Sequence, residues 1–425
     1  MAKARNNIIA ALDIGSSKVA CFIGARDFQG KVRVVGIGHQ ISQGIKSGVI
    51  TDVTAAERSI VTAISAAEQM SGQTIDGAII NISGISIESS TLNVQANITG
   101  HEVAEADLAH IRTEVHKNFS GQEKEIIHCI PLDYAIDDIT GIKDPSKMFG
   151  NVLSTNMHMV TASPTYLKNL AHCLAICRLN IDDCIAAAYA SGLACLTEDE
   201  KNLGATIIDI GGGLTQVAIF SGGNLIHATS IALGGSHITK DLARGLSTGI
   251  SYAERIKTLY GSAILERGDR EEIIDIPQSD GSKADDLGEN LEAENQEMSH
   301  ISKAEVISII SPRVEEIMEM AKKNLEEKGL EKMLGGRIVL TGGTSQLTGM
   351  KDQAAKVFGR QVRLGRPYSI DGLAEATKGA AFSTAVGMLQ YAARNENTGQ
   401  PSSARGRGKA KGLMGKVLGW FEDNF

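Results

Sequence analysis

The sequence predicts an α/β protein of more than one domain, and three observations carry that prediction. Short β-branched runs bounded by Gly or Asn alternate with longer stretches of helical periodicity. The 425 residues are 42% hydrophobic and 22% charged, which is ordinary globular material and enough chain for two or more cores. The 46 glycines against only 7 prolines suit tight turns inside a folded body and exclude disorder throughout, collagen and coiled coil.

Taken in order, strands are expected at 8–12 (IIAAL), 32–36 (VRVVG), 77–82 (GAIINI), 205–210 (ATIIDI), 217–220 (VAIF) and 337–340 (RIVL). Helices are expected at 54–69, 164–177, 303–328 and 348–358, and residues 84–161 carry two strand-like patterns around a helix from about 104 to 117. The packed body ends near residue 393, after which 395–412 (NENTGQPSSARGRGKAKG) reads as a polar, then basic, linker.

The net charge of −8 argues against a coat of basic surface and hence against general nucleic-acid binding. The charge is segregated. Residues 266–297 hold twelve acidic and three basic residues, with Pro277, Ser and Gly and little apolar periodicity, so they read as a solvated insertion or surface loop. Arg405, Arg407, Lys409, Lys411 and Lys416 form the opposite pole. The six cysteines, Cys21, Cys129, Cys173, Cys177, Cys184 and Cys195, lack C-x-x-C spacing and companion histidines, so they are expected as reduced core residues. No signal-like segment opens the chain, and its longest apolar run, 185–196, falls short of the ~20 residues that span a bilayer. A cytosolic chain without a membrane span is expected.

The most informative feature is internal similarity. The stretch 8–24 resembles 206–222 when Asp13 is laid on Asp209 and Gly15 on Gly211: apolar strand, D-I-G, two small residues, second strand. Gly15, Gly211, Gly212 and Gly213 let backbone N–H groups approach phosphate oxygens, and Ser16, Ser17 and Thr215 add hydroxyls. An Asp at each strand end can hold Mg²⁺ through its waters, because Mg²⁺ keeps much of its hydration and takes one or two carboxylates. A third Gly-turn, 338–343 (IVLTGG), suits packing against a nucleoside. Any single D-x-G turn is also found in ordinary hairpins; the argument rests on the set of three in this order.

The tail has its own signature. Leu413, Val417, Phe421 and Phe425 recur at i+4, flanked by Met414, Leu418 and Trp420, so a helix over 413–425 would carry a continuous apolar face. Behind a basic linker, such a helix suits insertion into an anionic lipid interface, each nearby cation adding up to ~1 kcal/mol. Docking back onto the body is the alternative.

The segments D-I-G-S-S-K (13–18), D-I-G-G-G-L-T (209–215), L-T-G-G (340–343) and A-A-F-S-T-A-V-G (380–387) resemble the actin, sugar-kinase and heat-shock-chaperone ATPase superfamily. With I-P-L-D-Y-A-I-D (130–137), L-T-E-D-E (196–200), L-G-G-S-H-I-T (233–239) and G-W-F-E-D-N-F (419–425), the resemblance sharpens to the FtsA family of bacterial cell-division proteins, over residues 6–393 and the tail. It implies an actin-like fold: two RNase-H-like domains flanking a nucleotide cleft, with an FtsA-type inserted subdomain. The implied parts are 6–83 and 162–195 (1A), 84–161 (1C), 196–231 and 331–393 (2A), and 232–330 (2B, with the acidic insertion 266–300). A linker at 394–412 and the membrane helix follow.

The resemblance also implies roles. Asp13 and Asp209 would organise Mg²⁺, Lys18 would face the phosphates, and Gly234, Gly235, Glu254, Lys257, Gly342 and Gly343 would form the adenosine side of an ATP site. Glu254 and Lys257 stand at i,i+3 and are read equally as a surface salt bridge. The water-positioning acid or amide of related filament proteins would fall in 183–192 (DCIAAAYASG), which offers only Asp183; slow or negligible ATPase activity is therefore expected, with Asp209 and Asp183 as catalytic candidates. The implied partners are the C-terminal tail of the tubulin-like FtsZ, other copies of the chain in filaments, later division proteins and anionic lipids, at the cytoplasmic face of the bacterial membrane at the division site. Lys303 and Arg313 are the candidate receivers of the FtsZ peptide, or plain solvated residues. Subdomain 1C would serve filament and divisome contacts, or stand as an accessory domain without a partner. A small-molecule kinase of the same superfamily and a pilus-assembly adaptor are the competing readings.

Overall fold

The computed structural model describes residues 8–27, 30–119, 123–277, 298–333, 335–368 and 370–397. Strands β1 (Ile8–Ile14) and β2 (Lys18–Arg26) form an antiparallel hairpin whose last pair is Ile14 with Val19. The turn between them is closed by Gly15 N donating to Lys18 O at 3.0 Å. Strand β3 (Val32–Ile41) extends the hairpin, and β4 (Ile45–Lys46) and β5 (Val49–Ile50) make a short ribbon beside it. Helix α1 (Val53–Ser71) is capped by the Asp52 carboxylate, which accepts from Ala55 N, and stops at Gly72, which takes the left-handed conformation. Its buried stripe of Ala56, Ile60, Ala63, Ile64 and Ala67 has the 3.6-residue period that the sequence showed. Strand β6 (Gly77–Ile82) then runs parallel to β1.

The chain next leaves this sheet for an inserted unit: β7 (Glu88–Asn97), α2 (Glu105–Phe119), β8 (Glu125–Ile136), β9 (Ile139–Ile142) and β10 (Val152–Ala162). Its four strands pair antiparallel in the order β7-β10-β8-β9, two more than the sequence pattern showed. Val94, Ile98, Ile111, Val115, Phe119 and Leu153 give the unit a core of its own. Helix α3 (Pro164–Ile176) and β11 (Asn180–Ala186) return the chain to the first sheet, completing the order β11-β6-β1-β2-β3, and α4 (Ala187–Cys195) crosses to the second half.

That half opens with α5 (Glu198–Leu203), started by a capping box between Thr197 and Glu200, and the antiparallel run β12 (Ala205–Ile210), β13 (Thr215–Ser221) and β14 (Asn224–Ile231). Helices α6 (Gly235–Gly245) and α7 (Ile250–Tyr260), strands β15 (Ile273–Pro277) and β16 (Met298–Ser302) and helix α8 (Lys303–Glu327) follow. Then come β17 (Arg337–Thr341), α9 (Met350–Phe358), β18 (Gln361–Leu364) and α10 (Ser383–Asn397). The second sheet reads β14-β13-β12-β17-β18, the order of the first with each strand replaced by its counterpart. The repeat seen in sequence is thus a repeat of topology.

Three expectations change. The flanks of the acidic stretch are a paired hairpin with Ile274 and Ile276 buried, because alternate residues of so short a strand suffice to anchor it; residues 278–297 lie outside the described residues. Helix α9 begins at Met350, after a 3-10 turn at Gly343–Gln346. The second half, expected to run to 393, gives up its last helix: α10 packs along α4 and into the core containing β1 and β2. The α4–α10 crossing admits only glycine at 387, where a Cβ would lie 1.8 Å from Ala190 O. Ala205, Ile207, Ala218 and Phe220 of the second sheet join the same apolar seam, while α6, α8 and α9 enclose a separate core on that sheet's far face.

Candidate functional site

The two strand–turn–strand hairpins point at each other across a cleft of about 530 Å³. Asp13, Gly15, Ser16, Ser17 and Lys18 line one wall and Asp209, Gly211, Gly212 and Gly213 the other. A Cβ on Gly212 would come within 2.8 Å of Ser17 Cβ, and one on Gly213 within 2.7 Å of Ser16 Oγ, so side chains there would push the hairpins apart. Glu254, Lys257, Gly342 and Gly343 line the same cleft.

Asp209 is held from the interdomain helices. Ser191 Oγ on α4 donates to its Oδ2 at 2.5 Å, and Thr384 Oγ1 on α10 at 3.3 Å, the two hydroxyls standing 3.0 Å apart. Gly342, at φ +86°, is where the third turn meets this carboxylate: a Cβ would sit 2.3 Å from Asp209 Oδ1. On the other side Asn81 receives Ile14 N at 2.7 Å and fixes the end of β1 beside Asp13.

Burial dominates the electrostatics. It pushes the Asp13 carboxyl up to about 6, with Lys18 pulling it down and Asp209 pushing it further up. It raises Asp209 against its Ser191 and Thr384 hydrogen bonds, and lowers Lys18 against the pull of both aspartates. Lys18 Nζ donates to Ala381 O and lies 3.4 Å from the Phe382 ring centroid. Two desolvated carboxylates facing one ammonium form a site that a divalent cation would complete. Two carboxylates make a sparse donor set, which suits an ion that keeps most of its ligands as water and phosphate oxygen.

Elsewhere along the cleft Lys257 Nζ donates to Glu254 Oε2 at 2.6 Å, Thr239 Oγ1 at 2.9 Å and Gly235 O at 3.2 Å. The pair is therefore both the salt bridge and part of the cleft wall. Four other expected residues stand elsewhere. Thr215 is fully buried and donates to Leu233 O at 2.9 Å; being the first residue of β13 it faces away from the cleft, and Gln216 takes the cleft-facing position. Gly234 and Gly235 brace the second hairpin from behind, with Gly235 N donating to Gly211 O at 2.9 Å, rather than lining the cleft. Asp183 lies on β11, paired beside β6, with Oδ1 accepting from Cys184 N at 2.7 Å. It does not line the cleft, because β11 runs on to Ala186 before α4 begins.

Sequence reasoning missed Asn81, Ser83, Ser191, Gln216, Thr344 and Thr384. No local signal marks Ser191 or Thr384, whose partner lies on a distant strand.

Lys303, the first residue of α8, is paired with Asp269 at 3.1 Å and Glu272 at 3.0 Å. Arg313 clasps Asp241 of α6 at 2.6 Å and reaches Glu316 on its own helix. Both therefore tie this subdomain together. Leu413, Met414, Val417, Leu418, Trp420, Phe421 and Phe425 lie outside the described residues. Among the described residues no helix is long and apolar enough to cross a membrane.

The model of the family "Cell division protein FtsA" matches residues 206–387, and that of the "SHS2 domain inserted in FTSA" matches 84–161. The cell division protein FtsA of Agrobacterium fabrum is 39% identical over 99% of this chain and 96% of its own. That of Rhizobium meliloti is 40% identical over 91% and 87%, and that of Escherichia coli 32% over 92% of each. Among solved structures the chain is similar to a PilM–PilN type IV pilus biogenesis complex, with TM-score 0.63 and 13% identity over 91% of this chain and 98% of the other. It is also similar to MreB5 of Spiroplasma citri bound to ADP, with TM-score 0.51 and 15% identity over 94% and 99%. These two likenesses establish the actin-like fold and nothing finer.

Proposed function

The chain belongs to the FtsA family of cell-division proteins, and from that premise we propose that it is an ATP-binding filament protein that ties FtsZ polymers to the cytoplasmic membrane at the division site. The observation that carries the nucleotide half of this reading is the pair of aspartate-bearing glycine hairpins facing one cleft. Backbone N–H groups of 15–17 and 211–213 would receive the phosphates, Asp13 and Asp209 would hold Mg²⁺ through its waters, and Glu254, Lys257, Gly342 and Gly343 would flank the nucleoside. The structures of MreB5 bound to ADP and to AMPPNP support a nucleotide in a cleft of this fold.

Turnover is proposed to be slow. Helix α4 carries no acid or amide side chain to orient a water, and Asp183 stands off the cleft. ATP then acts mainly as a ligand that stiffens the closed state. The rest of the reading comes from the tail and the family. Residues 413–425 are the membrane foot, 232–330 carries the contact for the FtsZ tail, and 84–161 serves filament contacts and later division proteins. With the family established, the kinase and pilus-adaptor readings lose their support.

Vesicle sedimentation tests the whole. The full chain with Mg·ATP should pellet with anionic vesicles and a chain ending at Asn397 should stay in the supernatant. Equal sedimentation of both chains, or none by either, refutes the anchor.

A further inference from the structure

Asp13 and Asp209 both attract the Lys18 ammonium, yet its hydrogen bond goes elsewhere. The ammonium donates to Ala381 O and stands 3.4 Å from the centroid of the Phe382 ring, both on the turn Ala380–Phe382 that leads into α10. A lysine stem is flexible, and one free to fold onto either aspartate would take that carboxylate from a hydrated cation. The carbonyl and the ring hold it back from that collapse.

Strand register explains why a ring stands there. Lys18, Ala20 and Phe22 alternate onto one face of β2, with Ala20 opposite His39 and Lys18 opposite Ile41 on β3. Ala20 offers only a methyl group, which leaves a gap bounded by Lys18, Phe22 and His39. Phe382 fills it: its ring centroid lies 5.9 Å from that of Phe22 and 5.6 Å from that of His39, and the residue is 8% exposed. The backbone that delivers the ring is pinned as well. Phe382 N donates to Gly379 O at 3.0 Å, Ser383 Oγ lies 2.7 Å from Thr341 Oγ1, and Thr384 reaches Asp209. A ring locked by its neighbours, on a pinned turn and facing a desolvated ammonium, gives a cation–π contact near the strong end of its range.

We propose that Phe382 is a positioning residue: its ring holds the Lys18 ammonium at the phosphate end of the cleft and off both aspartates, so that the lysine meets a phosphate while the carboxylates stay open to the cation. This deepens, and rests on, the reading of the cleft as a nucleotide site.

Calorimetric titration of the full chain with Mg·ATP reads the coupling. Phe382→Leu, which stays apolar but removes the ring, should weaken binding about tenfold, or about 1.4 kcal/mol. Phe382→Tyr, which keeps the ring, should retain most of the affinity. In a Lys18→Met background Phe382→Leu should cost almost nothing further, because the ring acts through the ammonium. Equal losses in both backgrounds, a Phe382→Leu chain that binds as wild type, or a Phe382→Tyr chain as weak as Phe382→Leu overturns the proposal. NMR of the wild-type chain carrying 13C at its lysine ε-carbons tests the contact without altering Phe382. The one signal that vanishes in Lys18→Arg should be displaced upfield by the ring current, and an undisplaced Lys18 signal overturns the proposal whether or not the Phe382 variants fold. A displaced signal in a chain that binds no Mg·ATP upholds the contact and refutes the nucleotide site, so the two readings fail separately.

Discussion

Replacing Gly387 with alanine should destabilise the protein although it removes a glycine from a helix. Inside α10 the change by itself is worth about 1 kcal/mol in favour of alanine. Against it stands the crossing with α4, where the new methyl would fall 1.8 Å from Ala190 O and 2.4 Å from its carbonyl carbon. Those atoms are helix backbone and cannot rotate aside, and both helices are pinned between the two sheets. The upper end of the overpacking range, about 3 kcal/mol, therefore applies and leaves a net loss of about 2 kcal/mol. At 2–4 °C per kcal/mol for a mid-sized protein, the thermal midpoint should fall by roughly 4–8 °C. The helices must also separate where Ser191 and Thr384 converge on Asp209, so binding of a fluorescent ATP analogue should weaken in the same variant. Gly336→Ala, with open space around the added carbon, is the matched control. A Gly387→Ala protein as stable as wild type, with unaltered nucleotide affinity, would refute the account of the helix crossing.

Removing the hydroxyls of Ser191 and Thr384 should cost about 1.5–3 kcal/mol of Mg·ATP affinity for the first, as expected of a hydrogen bond to a charged group, and less than additively for the second, since both donate to one oxygen. Calorimetric titration of the single and double variants reads this directly. Asp183→Asn should leave slow phosphate release where it is, whereas Asp209→Asn should abolish Mg²⁺-dependent nucleotide binding; release that is brisk and lost in Asp183→Asn would restore Asp183 to catalysis. Acid should loosen two seams of the inserted unit, the one with the second sheet at His158 and His227 and the one with β11, where His128 accepts from Ala186 N. Burial holds His128 and His227 down to about 3, and His158 to about 4 against a loose approach of the Leu225 backbone. Folded-state values below the usual 6.5 mean that the unfolded chain binds the extra protons, so this stability is complete above pH 6.5 and is lost as the pH falls towards 4. Neither ring nitrogen of His158 makes a hydrogen bond of normal geometry. His158→Leu should therefore match wild type at pH 7.5 and outlast it in urea melts at pH 5; the reverse ranking at pH 5 would show that the ring is protonated in the folded state.

The halves of the molecule were legible where chemistry and topology coincide. The D-I-G hairpin announces itself twice because its turn needs small residues, its strands need apolar ones, and its end needs a carboxylate, all within a dozen positions. What joins the halves left no local trace. Ser191 and Thr384 reach Asp209 from 18 and 175 residues away. The resemblance implies a joining helix around 183–192, but pairing with β6 makes the first four of those residues the end of strand β11, which carries Asp183 off the cleft. Thr215 failed by one position, since alternation along β13 gives the cleft to Gln216.

Strands β15 and β16 are in register from Ile273 with Ser302 to Pro277 with Met298, so the chain leaves and re-enters the body at adjacent points. Those points are fixed by Ile274 and Ile276 in the core, so a longer or shorter stretch between them leaves both anchors where they are. The entropic cost of closing a flexible stretch of chain rises with the logarithm of its length, about 0.6 kcal/mol per doubling. Insertions or charge changes within 278–297 can therefore be made without moving the two hairpins that line the cleft. For the same reason that segment is the natural splice point for a fluorescent domain, which would ride on the molecule between two neighbouring anchors.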